Sequence, residues 1–166
     1  MTTMDPSRLA AALIACASGI RCHEAGTGLL IDCGSWLHRE DFTSRFITTG
    51  TSISDGVTLL ASTDWEAAVT ALHAGNLPAS GGERRMLLLA ASIAGGVPVS
   101  LSDTLTGIDR RNASLIVSAV AHAAGLPDPS RDQANGNLAV SSEAVRDRPA
   151  AWSGWHRYSA AMPLSR

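Results

Sequence analysis

Residues 63–125 decide the fold of this chain, and they read TDWEAAVTALHAGNLPASGGERRMLLLAASIAGGVPVSLSDTLTGIDRRNASLIVSAVAHAAG. Three helix signals follow one another in this stretch. Each opens on a side chain that can accept a hydrogen bond from the first helical turn, namely Thr63, Ser80 and Asp109. Glu66 and Glu83 complete capping boxes with the first two. Three packed helices of this kind would enclose a single core.

The middle segment, residues 80–96, is the most apolar of the three. Its body, residues 84–94, reads RRMLLLAASIA and is apolar nearly all round. A helix without a polar face usually lies at the centre of a bundle. At about 15 residues it is too short for a bilayer, which needs roughly 20 apolar residues. We therefore predict a central helix around Leu87 that is enclosed by its neighbours and does no chemistry itself.

The third segment begins at Asp109 and ends at Gly125, and its residues divide into two stripes. The stripe predicted to be buried consists of Leu115, Ile116, Ala119, Val120 and Ala123. The stripe predicted to face solvent consists of Arg111, Ser114, Ser118 and His122. The alanine-rich part of this helix also has the composition of a dimer seam.

The N-terminal half contains weaker signals. Asp5 followed by Pro6 predicts the start of a first helix that ends at Gly19. Residues 21–28 are interpreted as a loop and residues 29–31 as a short extended piece. Phe42 and Phe46, four residues apart, predict a short amphipathic helix over residues 38–47. Residues 48–56 are interpreted as a loop, and residues 57–61 as a second extended piece that pairs with residues 29–31.

The predicted fold class is therefore mainly α, a small helical bundle with a short two-stranded ribbon. The predicted domain covers residues 1–126. Residues 127–166 are interpreted as a polar linker and a loose tail, because Pro, Asp, Ser, Asn and Gly dominate the first part of that stretch. The tail contains Trp152, Trp155 and Tyr158, which would either be incidental or dock on the domain or a partner.

Composition excludes several classes of function. The formal net charge of -2 gives no global basic field, so strong non-specific binding of nucleic acid is not expected. All 13 basic residues are arginine. Mechanisms that need a lysine amine, such as a Schiff base or a phosphate-binding P-loop, are excluded. No cofactor is predicted.

Three cysteines, Cys16, Cys22 and Cys33, cannot form a complete set of disulfides. The polar N-terminus has no signal-peptide pattern. These features predict a soluble cytoplasmic protein with reduced thiols and no membrane partner. The cysteines and histidines also lack the paired spacing of a zinc site, so no metal is predicted.

One hypothesis for function is a small enzyme with its site in the loop-rich N-terminal half, where sites tend to lie. The candidate residues are His23, Cys33, His38 and Asp41, which together supply thiol, imidazole and carboxylate groups. This hypothesis requires a concave pocket that brings His38 near Cys33 or Asp41.

Residues 99–124 resemble helix-turn-helix DNA-binding domains. Residues 99–105 would form the first helix, residues 106–108 the turn, and Asp109 would begin the recognition helix. The resemblance implies that the N-terminus of this last helix contacts base edges and phosphates. Arg110, Arg111, Asn112 and Ser114 are residue types that make such contacts.

Taken together, these patterns favour a non-enzymatic binding or adaptor protein. Its partner would be another protein or a second copy, and DNA contact through residues 99–124 is the most specific form of the hypothesis. The N-terminal enzyme is the alternative.

Overall fold

The computed structural model describes residues 4–54 and 56–126, and this part of the chain is mainly helical. The elements in chain order are α1 (Pro6–Ala17), α2 (Arg21–Cys33), a 3-10 turn (Trp36–His38), α3 (Glu40–Phe46), β1 (Ile47–Thr51), β2 (Leu59–Thr63), α4 (Trp65–His73), α5 (Gly81–Gly95), α6 (Leu101–Leu105) and α7 (Arg110–Ala123). The predicted fold class is confirmed. The predicted linker and tail over residues 127–166 lie outside the described residues.

Helix α5 lies at the centre, as predicted. Ser80 and Glu83 form the capping box at its start, with the Ser80 hydroxyl accepting from the Glu83 N–H and the Glu83 carboxylate accepting from the Ser80 N–H. Leu87 is completely buried. Helices α2, α4, α6 and α7 all contact α5, which accounts for the lack of a polar face in its sequence.

Helix α2 is the largest difference from the sequence-based prediction. Residues 21–28 are not a loop and residues 29–31 are not extended, because all of them belong to one helix that ends at Cys33 and is capped by Gly34. This helix makes its most extensive contact with α5, and it also contacts α1 and α7. At the crossing, Gly26 is buried against Ala90 and Ala94 of α5. The glycine allows the two backbones to approach closely and does not signal a loop here.

The ribbon exists, but its first strand is not the predicted one. β1 pairs with β2 in antiparallel register, with Ile47 opposite Thr63 and Thr51 opposite Leu59. Residues 48–51, interpreted as loop, are therefore a strand, while the predicted second piece is shifted by two residues. The threonines of β1 are exposed, and because Thr48 and Thr49 point to opposite faces, both faces of this strand are open to solvent.

Helix α4 begins one residue later than predicted. Asp64, and not Thr63, caps it, because the Asp64 carboxylate accepts from the Ala67 N–H at 3.0 Å. Thr63 is the last residue of β2 and is buried. The predicted short helix around Phe42 and Phe46 is confirmed as α3. Both rings are buried, and Phe42 lies between Trp36 and Phe46, with ring centroids 5.0 and 5.6 Å away.

Candidate functional site

The segment that resembles a helix-turn-helix is a helix, a tight turn and a second helix. Gly107 has a φ of +77°, which allows the chain to reverse between α6 and α7. The first helix is only five residues long and begins at Leu101, two residues later than predicted. It packs mainly against α5 and contacts α7 only slightly at most.

The cap at the start of α7 engages one of the four candidate DNA-contact residues. Asp109 accepts a hydrogen bond from the Asn112 N–H at 2.9 Å and a second from the Asn112 side-chain amide at 2.7 Å. The first of these bonds is the main reason that the pKa of the Asp109 carboxyl lies below its usual value. The Asn112 amide therefore completes the cap of its own helix.

Arg111 is also engaged within the molecule. Its guanidinium donates to the Asp32 carbonyl oxygen at 3.1 Å, near the C-terminus of α2. A cation at this position interacts favourably with the last carbonyls of that helix. Arg110 and Ser114 are exposed. The structure therefore leaves two of the four candidate side chains open to external contact, and DNA binding stays a prediction.

The other end of α7 is held to α2 by His122. Its Nε2 lies 2.8 Å from a carboxylate oxygen of Glu24, whose other oxygen accepts from the Gly19 N–H at 2.8 Å. The Gly19 bond, followed by the contact with His122, holds the pKa of Glu24 below its usual value. Two members of the predicted solvent stripe, Arg111 and His122, thus join α7 to α2. Both residues are exposed, as predicted, and each also makes a contact with α2 that the sequence pattern did not predict.

A second exposed face of α7, beside the polar one, is apolar. Ala113, Val117, Val120 and Ala124 are all exposed, and we call these four residues the α7 stripe. Val117 is 60% exposed and Val120 is 52% exposed. With 3.6 residues per turn, the four side chains fall within roughly 60° of one another around the helix. Val120 was predicted to be buried, whereas the burial of Ile116 and Ala119 is confirmed.

The four candidate residues of the enzyme hypothesis lie on α2, in the 3-10 turn and on α3. His23 lies in the first turn of α2 and Cys33 at its end, about 15 Å apart along the axis at 1.5 Å per residue. Cys33 Sγ lies 3.6 Å from Ser35 Oγ, and His38 is exposed. Asp41 binds the Arg39 guanidinium through both oxygens, at 3.0 and 2.6 Å, and these bonds keep its pKa low.

These four residues do not line either of two concave surfaces that the structure contains. A shallow cavity of about 490 Å³ lies between α3 and α4, where Arg45 donates to the Asn76 carbonyl oxygen. A second cavity of about 380 Å³ lies between α5 and α6 and includes Arg84 and Arg85. Sequence reasoning missed the second cavity because the two arginines were interpreted as part of the apolar central helix. Within residues 4–54 and 56–126, no group of three potential metal ligands occurs.

Comparison with known proteins gives no relative: no protein-family model matches the chain, and no curated protein or solved structure is significantly similar to it. In the part of the chain that the structure describes, none of the helices combines the length and apolarity needed to cross a bilayer.

Proposed function

We propose that this chain is a non-enzymatic protein-binding module whose partner is a second copy of itself, paired through the α7 stripe. The observation that carries the proposal is the exposed apolar face of α7, a helix already fixed to the core by Ile116 and Ala119 on another side. An apolar face that remains exposed on a folded domain is typical of an interaction site.

The order of residues within the α7 stripe favours a second copy as the partner. A two-fold contact must be self-complementary, so that each residue and its counterpart exchange roles. In an antiparallel pair, Ala113 would lie opposite Ala124 and Val117 opposite Val120. The stripe reads small, large, large, small in both directions, so both pairs match in size at the same register. Alanines at the ends would let the helices approach closely.

Charge at the helix ends favours the same antiparallel arrangement. Arg110 is exposed at the N-terminus of α7, where the helix dipole disfavours a cation. In an antiparallel pair it would lie beside the last carbonyls of the partner helix, where a cation is favourable. Because one helix face is a small interface, we expect a dimer that depends on protein concentration.

Val117→Glu is expected to weaken self-association at least tenfold, about 1.4 kcal/mol, because it places a carboxylate against the apolar side chain of the other copy. Glutamate is a better helix former than valine, so α7 itself should not be weakened. Sedimentation velocity over a range of protein concentrations measures the effect. Ile53→Glu is the matched control, because Ile53 is fully exposed outside the α7 stripe.

A second variant tests the orientation of the pair. In the double variant Val117→Glu with Val120→Arg, an antiparallel dimer would bring the new carboxylate of each copy against the new guanidinium of the other, and association should return. In the double variant Val117→Glu with Val120→Glu, association should not return. A wild-type chain that is monomeric at every concentration, or equal loss in the Ile53 control, would rule out the proposal. Association of the double-glutamate variant would do so as well.

DNA contact through the N-terminus of α7 is the second candidate function. The exposure of Arg110 beside the turn at Gly107 favours it. Replacing Arg110 by alanine should weaken duplex binding and reduce its salt dependence, since a lost phosphate contact lowers the slope by about 0.9. Arg8→Ala, on α1, is the control. Absence of duplex binding by the wild type at low salt would exclude this function.

A further inference from the structure

The cavity between α5 and α6 has two arginines in its wall. Arg84 and Arg85 lie in the first half of α5, and Ser100 and Asp103 belong to the segment that opens α6. Leu88 and Val99 contribute apolar surface to the same cavity. Its volume of about 380 Å³ is in the range of small-molecule sites, roughly 300–1,000 Å³.

Arg85 is the residue that makes this cavity chemically unusual. Its guanidinium lies beside two glycines, Gly81 in the first turn of α5 and Gly107 in the turn before α7. A methyl group built on Gly107 would lie 3.6 Å from one guanidinium nitrogen, and one on Gly81 would lie 3.2 Å from another. The contact at Gly107 would be an ordinary one, whereas the contact at Gly81 would be tight, so the missing side chain at Gly81 leaves room for the guanidinium.

Among the residues that the structure describes, this guanidinium has no partner that balances its charge. Arg85 is partly buried, yet in the described ranges it takes part in no ion pair or side-chain hydrogen bond. A partly buried guanidinium has five donors to satisfy and is commonly matched by a carboxylate or a phosphate. The absence of such a group among the described residues indicates a place for an external anion.

The other polar side chains of the cavity are Arg84, His73, Asp103 and the hydroxyls of Ser100 and Thr104. Arg84 donates one N–H to the Leu72 carbonyl oxygen at 2.9 Å, which fixes the guanidinium to the end of α4. Asp103 lines the cavity without forming an ion pair with either arginine in the described part of the chain. Thr104 is buried and donates to the Ser100 carbonyl oxygen at 2.6 Å, a bond within the first turn of α6.

We propose that the α5–α6 cavity binds a small organic phosphate monoester. Arg85 forms the paired N–H contacts with the phosphate oxygens, since the guanidinium fork matches that geometry. Arg84 adds a second positive charge, and the Ser100 hydroxyl supplies a further donor. Leu88 and Val99 pack against the organic part of the ligand. Asp103 limits the affinity through its negative charge.

Phenyl phosphate is the probe, with inorganic phosphate and sodium chloride of equal ionic strength as comparisons. Calorimetric titration of the full chain should give a measurable Kd for phenyl phosphate and a weaker one for inorganic phosphate. Arg85→Gln should weaken phenyl phosphate binding at least tenfold. Asp103→Asn should strengthen it several-fold, because it removes a repulsive charge. Arg8→Gln, an exposed arginine on α1, should leave binding unchanged.

Weaker binding by Arg85→Gln together with tighter binding by Asp103→Asn would indicate direct contact with the ligand, because a variant that only loosened the fold would not bind more tightly. Phenyl phosphate should also raise the Tm of the wild type and not that of Arg85→Gln. Circular dichroism checks that each variant is folded. Equal binding by wild type and Arg85→Gln, equal loss in Arg8→Gln, or no binding by the wild type would overturn the proposal. Failure here would leave pairing through the α7 stripe unaffected, and the reverse also holds.

Discussion

Replacing Gly26 by alanine is expected to lower the free energy of unfolding by roughly 3 kcal/mol, the upper end of the usual effect of overpacking a core. A methyl group on Gly26 would lie 2.5 Å from Ala94 Cβ and 2.6 Å from the Ala90 carbonyl oxygen. It would also lie 2.9 Å from the Ala94 backbone nitrogen. Two of these atoms belong to the α5 backbone, so no side-chain rotation relieves the clash and the helices must separate.

Gly28 supplies a matched control two residues along the same helix. A methyl group there would meet nothing within 4 Å. Glycine inside a helix destabilises it relative to alanine, so Gly28→Ala should raise the free energy of unfolding by about 0.5–1 kcal/mol. Urea denaturation followed by circular dichroism measures both variants. Replacing glycine by alanine should therefore lower the free energy of unfolding at Gly26 and raise it at Gly28. Equal effects would contradict the close approach of α2 to α5.

Leu87→Ala should lower the free energy of unfolding by about 2–5 kcal/mol, the range for emptying a buried leucine site. Leu87 is completely buried at the centre of α5, where α2, α4 and α7 surround the helix. Close neighbours on several sides limit how far the cavity can collapse. For a domain whose total stability is of the order of 5–15 kcal/mol, this is a large share.

Leu101→Ala removes the same atoms from a side chain that is 58% exposed. A surface change of this kind usually alters stability by less than about 0.5 kcal/mol. In thermal and urea unfolding, Leu87→Ala should therefore lose several-fold more stability than Leu101→Ala. If Leu87→Ala were as mild as Leu101→Ala, α5 would not be the enclosed helix on which the architecture depends.

Much of this architecture is predictable because the strongest local signals agree with the packing. Ser80 and Glu83, Asp109, and the pair Asp5 and Pro6 each mark a helix start that the structure contains. Helix α2 escaped prediction because Gly26 and Gly28 carry a loop signal when only the local sequence is considered. Its helical state depends on contacts with α5 and α7, which lie far along the chain. Tertiary packing overrides propensity at such positions.

The surfaces were less predictable than the fold for a related reason. The polar pattern of α7 correctly separates two faces, but it does not reveal that Arg111 and His122 reach α2. Val117 and Val120 are exposed on the same helix, although Val120 was predicted to be buried. The cavity beside Arg85 lies between α5 and the segment that opens α6, and local sequence patterns do not reveal that these two elements enclose it.

The contact of Gly26 with Ala90 and Ala94 also has a consequence for biosynthesis. About 64 residues separate Gly26 from Ala90, so α2 emerges from the ribosome well before the helix that buries it. At a translation rate of 5–20 residues per second, α2 is synthesised roughly 3–13 seconds before Ala90 of α5. During that interval Leu29 and Leu30, nearly inaccessible in the finished domain, are open to chaperones. We therefore expect ribosome-bound fragments that end before residue 80 to bind ribosome-associated chaperones and full-length chains to release them.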